Sequence, residues 1–164
     1  MIFLTVGTQF PFDRLVKTVD DLVAGGVIEE EVFSQVGDDA YEPRSFKSVA
    51  SLDKKAFDEC IHNASAIISH AGMGTITMAL DTGKPLLVMP RRKRYGEVVN
   101  DHQVAIAHKF EQLGHLLVAY EPEELADKVK LLKGFKPSPR LVRPEAVVKR
   151  IAEFLDGLPA GSAS

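Results

Sequence analysis

With 164 residues, 45% of them apolar and 26% charged, the chain has the composition of an ordinary globular protein and the length for one domain with a sizeable core. A formal charge of −3 argues against a nucleic-acid partner, because binding a phosphate backbone needs clustered positive charge. The single cysteine, Cys60, excludes an internal disulfide and a cysteine-rich metal site and is expected in the core. No apolar run reaches the roughly 20 residues of a membrane span, and MIFLTVGTQF lacks the features of a signal peptide, so a cytoplasmic location is expected.

Ile2, Phe3, Leu4, Thr5 and Val6 read as a strand buried on both faces, ended by Gly7, Thr8 and Gln9. Phe12, Leu15, Val16, Val19, Leu22 and Val23 then recur at helical spacing. Gly25 and Gly26 separate that helix from a second strand at residues 32–36, after which residues 37–44 are polar and turn-rich. A short strand is expected over 46–50. Leu52, Ala56, Phe57, Cys60 and Ile61 mark the next helix, with Asp53 at its start, where the dipole favours a carboxylate, and His62 on its surface.

The stretch 66–90, AIISHAGMGTITMALDTGKPLLVMP, organises the chain as strand, glycine loop, helix and strand. Ala66, Ile67, Ile68 and Ser69 form the strand. His70, Ala71, Gly72, Met73, Gly74 and Thr75 break it. Ile76, Ala79 and Leu80 mark a helix that Gly83 ends, and Pro85 to Met89 begin another buried strand. A glycine loop feeding a helix N-terminus offers unpaired N–H groups and a positive dipole end, which suits a phosphate. The same two glycines also suit nothing more than a tight turn packed on the sheet.

Beyond Pro90 four basic residues, Arg91 to Arg94, stand together, followed by Tyr95, Gly96 and Glu97, and then by Asn100, Asp101, His102 and Gln103 ahead of a helix reaching about Leu113. The basic run reads either as a solvated loop or as a contact for an anionic ligand, a membrane surface or an acidic partner. Asn100 or Asp101 is a natural N-cap, although one cap does not require the whole polar cluster. Leu116 to Ala119 is the expected last strand. Pro122 opens a helix with Leu125, Val129 and Leu132. Residues 133–143 form a linker, Pro144 opens a final helix with Val147, Val148, Ile151 and Leu155, and a disordered tail is expected from residue 157.

The alternation predicts one α/β domain over residues 1–156 with a parallel, doubly wound, Rossmann-like sheet, whose ligands bind outside the strands' carboxyl ends. No hydrolytic triad and no metal-ligand spacing is visible. An NAD site is the weaker alternative, since neither glycine loop fits G-x-G-x-x-G.

Three motifs read together, VGTQFPFDRLV (6–16), SHAGMGTITMALDTGKPLLVMPR (69–91) and NDHQVAIA (100–107), resemble the C-terminal, donor-binding domain of family 28 glycosyltransferases of GT-B fold. The free-standing form of that domain includes the small subunit of the eukaryotic dolichol-linked GlcNAc transferase and the PssE-type subunits of bacterial exopolysaccharide and capsule synthesis. Met78 and the MPRR and YGE segments look closer to the latter.

The resemblance implies a single GT-B half-domain acting in metal-free, inverting transfer of a sugar from a UDP-sugar to a polyprenyl-diphosphate-linked acceptor, with no cofactor. The helix N-terminus at Gly72, Met73, Gly74 and Thr75 would receive the leaving diphosphate. By motif, Gly7, Thr8 and Gln9 would line the diphosphate or sugar side. His70 and Ala71 would lie at the donor, and Asn100, Asp101 and Gln103 would contact the donor sugar. Residues 49–51 fall where related enzymes recognise the base. Related enzymes hold the ribose with a glutamate where this chain has Met78, which leaves Glu97 as the nearest free carboxylate for that task. His70 is the candidate catalytic residue; it and His102 are candidates for titration near neutral pH, either as base or as binding group. A half-domain also implies a membrane-associated, acceptor-binding partner of PssD type, which would recruit the chain to the cytoplasmic face of the membrane. The competing class is a nucleotide-sugar-binding regulatory module without catalysis.

Overall fold

The computed structural model describes residues 1–38 and 40–139. The expected final helix from Pro144 and the tail lie outside the described residues. In chain order the elements are β1 (Ile2–Thr5), α1 (Asp13–Ala24), β2 (Val32–Gln35), β3 (Lys47–Val49), α2 (Lys54–Asn63), β4 (Ala66–His70), α3 (Met73–Asp81), β5 (Leu86–Met89), α4 (His102–Gln112), β6 (Leu117–Val118) and α5 (Pro122–Leu132). A single 3-10 turn, Lys93–Tyr95, stands between β5 and α4. The strands form one sheet in the order β3-β2-β1-β4-β5-β6, and every pairing is parallel. The predicted α/β, doubly wound architecture is what the chain adopts.

Alternation along each strand divides the core into two layers. Ile2, Leu4, Ala66, Ile68, Leu87 and Met89 face α1 and α5, meeting Leu15, Val19, Leu125 and Val129. Phe3, Ile67, Leu86 and Val88 face the other way, against Ile61, Ile76, Leu80 and Ala107 of α2, α3 and α4. A strand covered on both faces must be apolar throughout, which is why β1 and β5 are buried at every position. Cys60 sits partly buried at the edge of the second layer. No helix of the described residues is long and apolar enough to cross a membrane.

Helix ends follow local chemistry. Asp53 caps α2 by accepting the Ala56 N–H at 2.8 Å, and Pro122 occupies the first turn of α5. Lys84 reaches across from the α3–β5 turn and donates to the carbonyls of His62 (2.6 Å) and Ala64 (2.7 Å), satisfying acceptors at the end of α2. The polar segment between β2 and β3 hangs on a buried carboxylate of α1. Asp20, 4% exposed, accepts from the backbone N–H groups of Arg44 and Ser45 and from the Tyr41 hydroxyl. Burial alone would raise its pKa, but the hydrogen bonds from Arg44, Tyr41 and Ser45 outweigh it and hold the carboxylate ionised below its usual range.

The sheet order also fixes where a ligand can enter. The chain runs outward from β1 to β3 and returns to β4 on β1's other side, so the loops after β1 and β4 part in opposite directions and open a crevice between them.

Candidate functional site

Because β1, β4 and β5 run in one direction, the loops after Thr5, His70 and Met89 leave the sheet at one edge. They enclose a cavity of ≈ 450 Å³ walled by Gly7, Thr8 and Gln9, by His70, Gly72, Gly74 and Thr75, and by Arg91 and Gln103. A hollow of ≈ 550 Å³ adjoins it, shares Phe10, Gly72, Val98 and Gln103, and adds Ala71, Met73, Glu97, Asn100 and His102. The expected site residues therefore meet across these two spaces, except Asp101, which lines neither. Residues 49–51 line neither as well, and the carbonyls of Val49 and Ala50 are taken by the N–H groups of Val36 and Gly37. Met78 packs in a groove with Ile61 and Lys54 of α2.

Helix α3 starts at the cavity with Gly72 as its N-cap, and no side chain accepts a hydrogen bond there. No acidic residue stands in its first turn. The leading N–H groups and the positive dipole end are thus left for an anion. The two glycines of the loop have different reasons for being glycine. A Cβ on Gly72 would lie 2.2 Å from His70 Nε2, whereas a Cβ on Gly74 would meet nothing within 4 Å. Gly7 has φ +78°, and a Cβ there would lie 2.9 Å from His70 Cε1. The imidazole is held between Gly7 and Gly72.

His70 departs from its expected titration near neutrality. Burial and then the nearby Arg91 charge push its pKa down to about 4, against a hydrogen bond to the Thr5 backbone that favours the cation. The ring is neutral at pH 7. Ser69 Oγ donates to the Thr5 carbonyl at 2.7 Å and lies 3.2 Å from His70 Nδ1. With the hydroxyl hydrogen so committed, Nδ1 carries the ring proton and Nε2, beside Gly72, is an acceptor. A base of pKa about 4 removes little proton density from a hydroxyl at neutral pH, so His70 is better suited to accepting a hydrogen bond than to general-base catalysis.

This shift has a consequence for stability. Below pH 6.5 the unfolded chain binds a proton that folded His70 refuses until about pH 4, so the contribution of His70 is complete above pH 6.5 and declines as pH falls through that window. Between pH 7 and 4.5 the wild type is expected to lose about 2 kcal/mol more than His70→Gln, measured by denaturant unfolding at both pH values. Equal losses would show that the ring is not buried in its neutral form.

The third loop is held by polar groups that the sequence reading assigned to ligand. Glu97 is not a free carboxylate. Oε1 accepts from Arg14 Nε at 2.7 Å, and Oε2 accepts from Arg14 Nη2 and from the Arg92 N–H, both at 2.8 Å. Three charge-assisted bonds occupy most of its acceptor capacity, so it is not the free carboxylate that the ribose expectation assumed. Asp101 accepts the Lys93 N–H at 2.8 Å, Asn100 accepts the His102 N–H at 3.2 Å, and Gln103 Oε1 accepts the Arg91 N–H at 3.0 Å. Each part of the polar cluster therefore has a structural task in shaping the loop.

The basic run does not form one patch. Arg92 and Arg94 both pair with Glu121, the former at 3.1 Å, and Arg94 also donates to the Tyr95 hydroxyl. Arg91 turns inward and is 3% exposed. It lines the cavity although sequence reading did not single it out as a site residue. The signal for it was weak: it stands two positions beyond Met89, on the side of β5 that carries Leu87 and Met89 inward.

This open α/β unit, with an uncapped helix N-terminus at its switch-point crevice, has the fold of a GT-B glycosyltransferase half-domain. The chain belongs to glycosyltransferase family 28, matching its C-terminal domain over residues 1–155. It is 33% identical over 123 residues to the UDP-N-acetylglucosamine transferase subunit ALG13 of Mus musculus, covering 70% of this chain and 10% of that protein. To the subunit of the same name in Cryptococcus neoformans it is 33% identical over 104 residues, covering 62% of this chain and 50% of the relative. The chain thus spans between a tenth and a half of the length of these relatives. Among solved structures, the solution structure of ALG13 superposes with a TM-score of 0.57 at 21% identity, over 92% of this chain and 93% of that one. The Acinetobacter baumannii MurG crystal structure gives 0.61 at 20% identity, over 92% of this chain and 49% of that one. These likenesses establish the shared fold.

Proposed function

We propose that this chain is the donor-binding subunit of a two-component, metal-independent, inverting glycosyltransferase that moves a sugar from a UDP-sugar to a polyprenyl-diphosphate-linked acceptor. The observation that carries the reading is the meeting of three strand-end loops around a cavity that holds the uncapped N-terminus of α3. When the glycosidic bond breaks, charge develops on the departing diphosphate, and N–H groups already aimed at that position stabilise it without reorganisation. The acceptor hydroxyl attacks from the opposite face of the sugar. The cleft wall on that side comes from the partner, and the general base comes from the partner or from His102 in the adjoining hollow, because His70 is a weak base and Glu97 is consumed by Arg14. The partner is the membrane-associated, acceptor-binding subunit of PssD type, and it brings the chain to the cytoplasmic face of the membrane. Exopolysaccharide or capsule synthesis is the setting we assign, from the MPRR and YGE segments. The relatives' names make UDP-N-acetylglucosamine the first donor to test. The weak basicity of His70 also favours a second reading, a nucleotide-sugar-binding regulatory module.

Calorimetric titration of a nucleotide-sugar panel, with and without chelator, tests the proposal. UDP or a UDP-sugar is expected to bind in the micromolar to millimolar range common for such substrates, with the same affinity in excess chelator. Binding that requires Mg²⁺ or Mn²⁺ would overturn metal independence, and no binding by any nucleotide would overturn the site. Transfer by the chain with its partner separates the catalytic from the regulatory reading.

A further inference from the structure

Among the described residues, Arg91 is the only lysine or arginine lining either hollow, and it is 3% exposed. Among the described residues, its side-chain hydrogen bonds go to neutral carbonyls and to no carboxylate. Nη2 donates to the Val6 carbonyl at 2.9 Å and to the Phe10 carbonyl, Nε has no partner, and the guanidinium lies 4.9 Å from the Phe12 ring centre. The nearest carboxylate in the loop, Glu97, is engaged by Arg14 at 2.7 Å. A buried guanidinium whose hydrogen bonds go to neutral groups, and whose charge is offset only in part by Glu97, carries a desolvation cost that an anion relieves. Burial does lower its pKa, to about 10, which leaves it cationic at neutral pH.

The guanidinium is also fixed in place. Its backbone N–H is held by Gln103, its Nη2 by two carbonyls of the β1–α1 loop, and its plane lies near an aromatic ring. It shares the cavity with Gly72, Gly74 and Thr75 at the start of α3. We propose that Arg91 is the fixed counter-ion for the donor's diphosphate, opposite the N–H groups of α3. The proposal rests on the reading of this cavity as a nucleotide-diphosphate pocket. Two sources of positive charge, one a helix end and one an arginine, then share the anion and the charge that grows on it as the sugar departs.

A role confined to tying the β1–α1 loop would affect every ligand of the pocket alike. Uridine and UDP are therefore titrated into the wild type, Arg91→Met and Arg91→Lys. Arg91→Met keeps bulk against Phe12 but removes the charge. It is expected to weaken UDP about tenfold or more while uridine changes less than about twofold, and Arg91→Lys is expected to bind UDP better than Arg91→Met. Equal losses for the two ligands, unchanged UDP affinity, or a lysine variant no better than the methionine variant would each overturn the proposal. Should Arg91→Met fail to fold, the wild type decides by NMR. The Arg91 Nε–H resonance is expected to shift on adding UDP and to stay in place with uridine, and no shift with UDP overturns the proposal. A wild type that binds neither ligand would overturn the pocket reading itself, and with it this role.

Discussion

The isolated chain is expected to transfer no sugar to a polyprenyl-diphosphate-sugar acceptor, and adding its acceptor-binding partner is expected to start transfer. One α/β layer supplies a single wall of the cleft, and the titratable group in its central cavity that faced the donor by motif, His70, is a weak base of pKa about 4. The assay is radiolabelled transfer with this chain, the partner, and both. Full activity from this chain alone would sink the two-subunit reading. The outward part of the basic run can be tested in the same assay. Arg94 is exposed and Arg91 is not, so the informative variant changes Lys93 and Arg94 to alanine and leaves Arg91 in place. If these charges steer an acidic partner, a lipid diphosphate or a membrane surface, transfer by the pair is expected to fall about tenfold at low salt with UDP affinity unchanged. Unchanged transfer would make this part of the run a solvated loop.

Gly72 and Gly74 are expected to respond to substitution in opposite ways. A methyl group on Gly72 falls 2.2 Å from an imidazole that is confined on its other side by Gly7, so Gly72→Ala must displace His70. A loss of about 1–3 kcal/mol is expected, the usual cost of overpacking, together with UDP binding. A side chain on Gly74 meets no protein atom within 4 Å and projects where the ligand would lie. Gly74→Val is expected to keep a melting temperature close to that of the wild type and to lose UDP affinity by at least about tenfold. Thermal melts and calorimetry on the two proteins check both statements. Wild-type affinity in Gly74→Val would place the anion elsewhere.

Much of the fold was legible because β1, β4 and β5 are covered on both faces, which makes each a largely apolar run, and turn residues such as Gly7, Gly72 and Gly83 punctuate them. The strand order was legible only as a class. The site was visible through topology, since parallel strands deliver all their following loops to one edge wherever the loops occur in the sequence. Glu97 and Arg91 mark where legibility ended. Glu97 looks free until α1 brings Arg14 to it from 83 positions away, and Arg91 looks like its three basic neighbours. Which of four adjacent cations turns inward depends on carbonyls at Val6 and Phe10 and on the Phe12 ring, all supplied from another part of the chain. Asp20 was hidden for the same reason: a carboxylate on a helix reads as solvent-facing until the segment carrying Tyr41, Arg44 and Ser45 folds over it.

The position of β1 between β2 and β4 imposes an order on synthesis. Ile2 pairs with Val32 on one side and with Ala66 on the other, so β1, made before both partners, waits for β4 before its second edge is closed. During that interval Phe3, fully buried in the finished fold, has two aromatic partners already made. Phe33 stacks on it at 6.3 Å between ring centres and Phe57 meets it edge-on at 5.4 Å. Three phenylalanines from β1, β2 and α2 can thus gather residues 1–63 before β4 emerges from the ribosome to pair with β1.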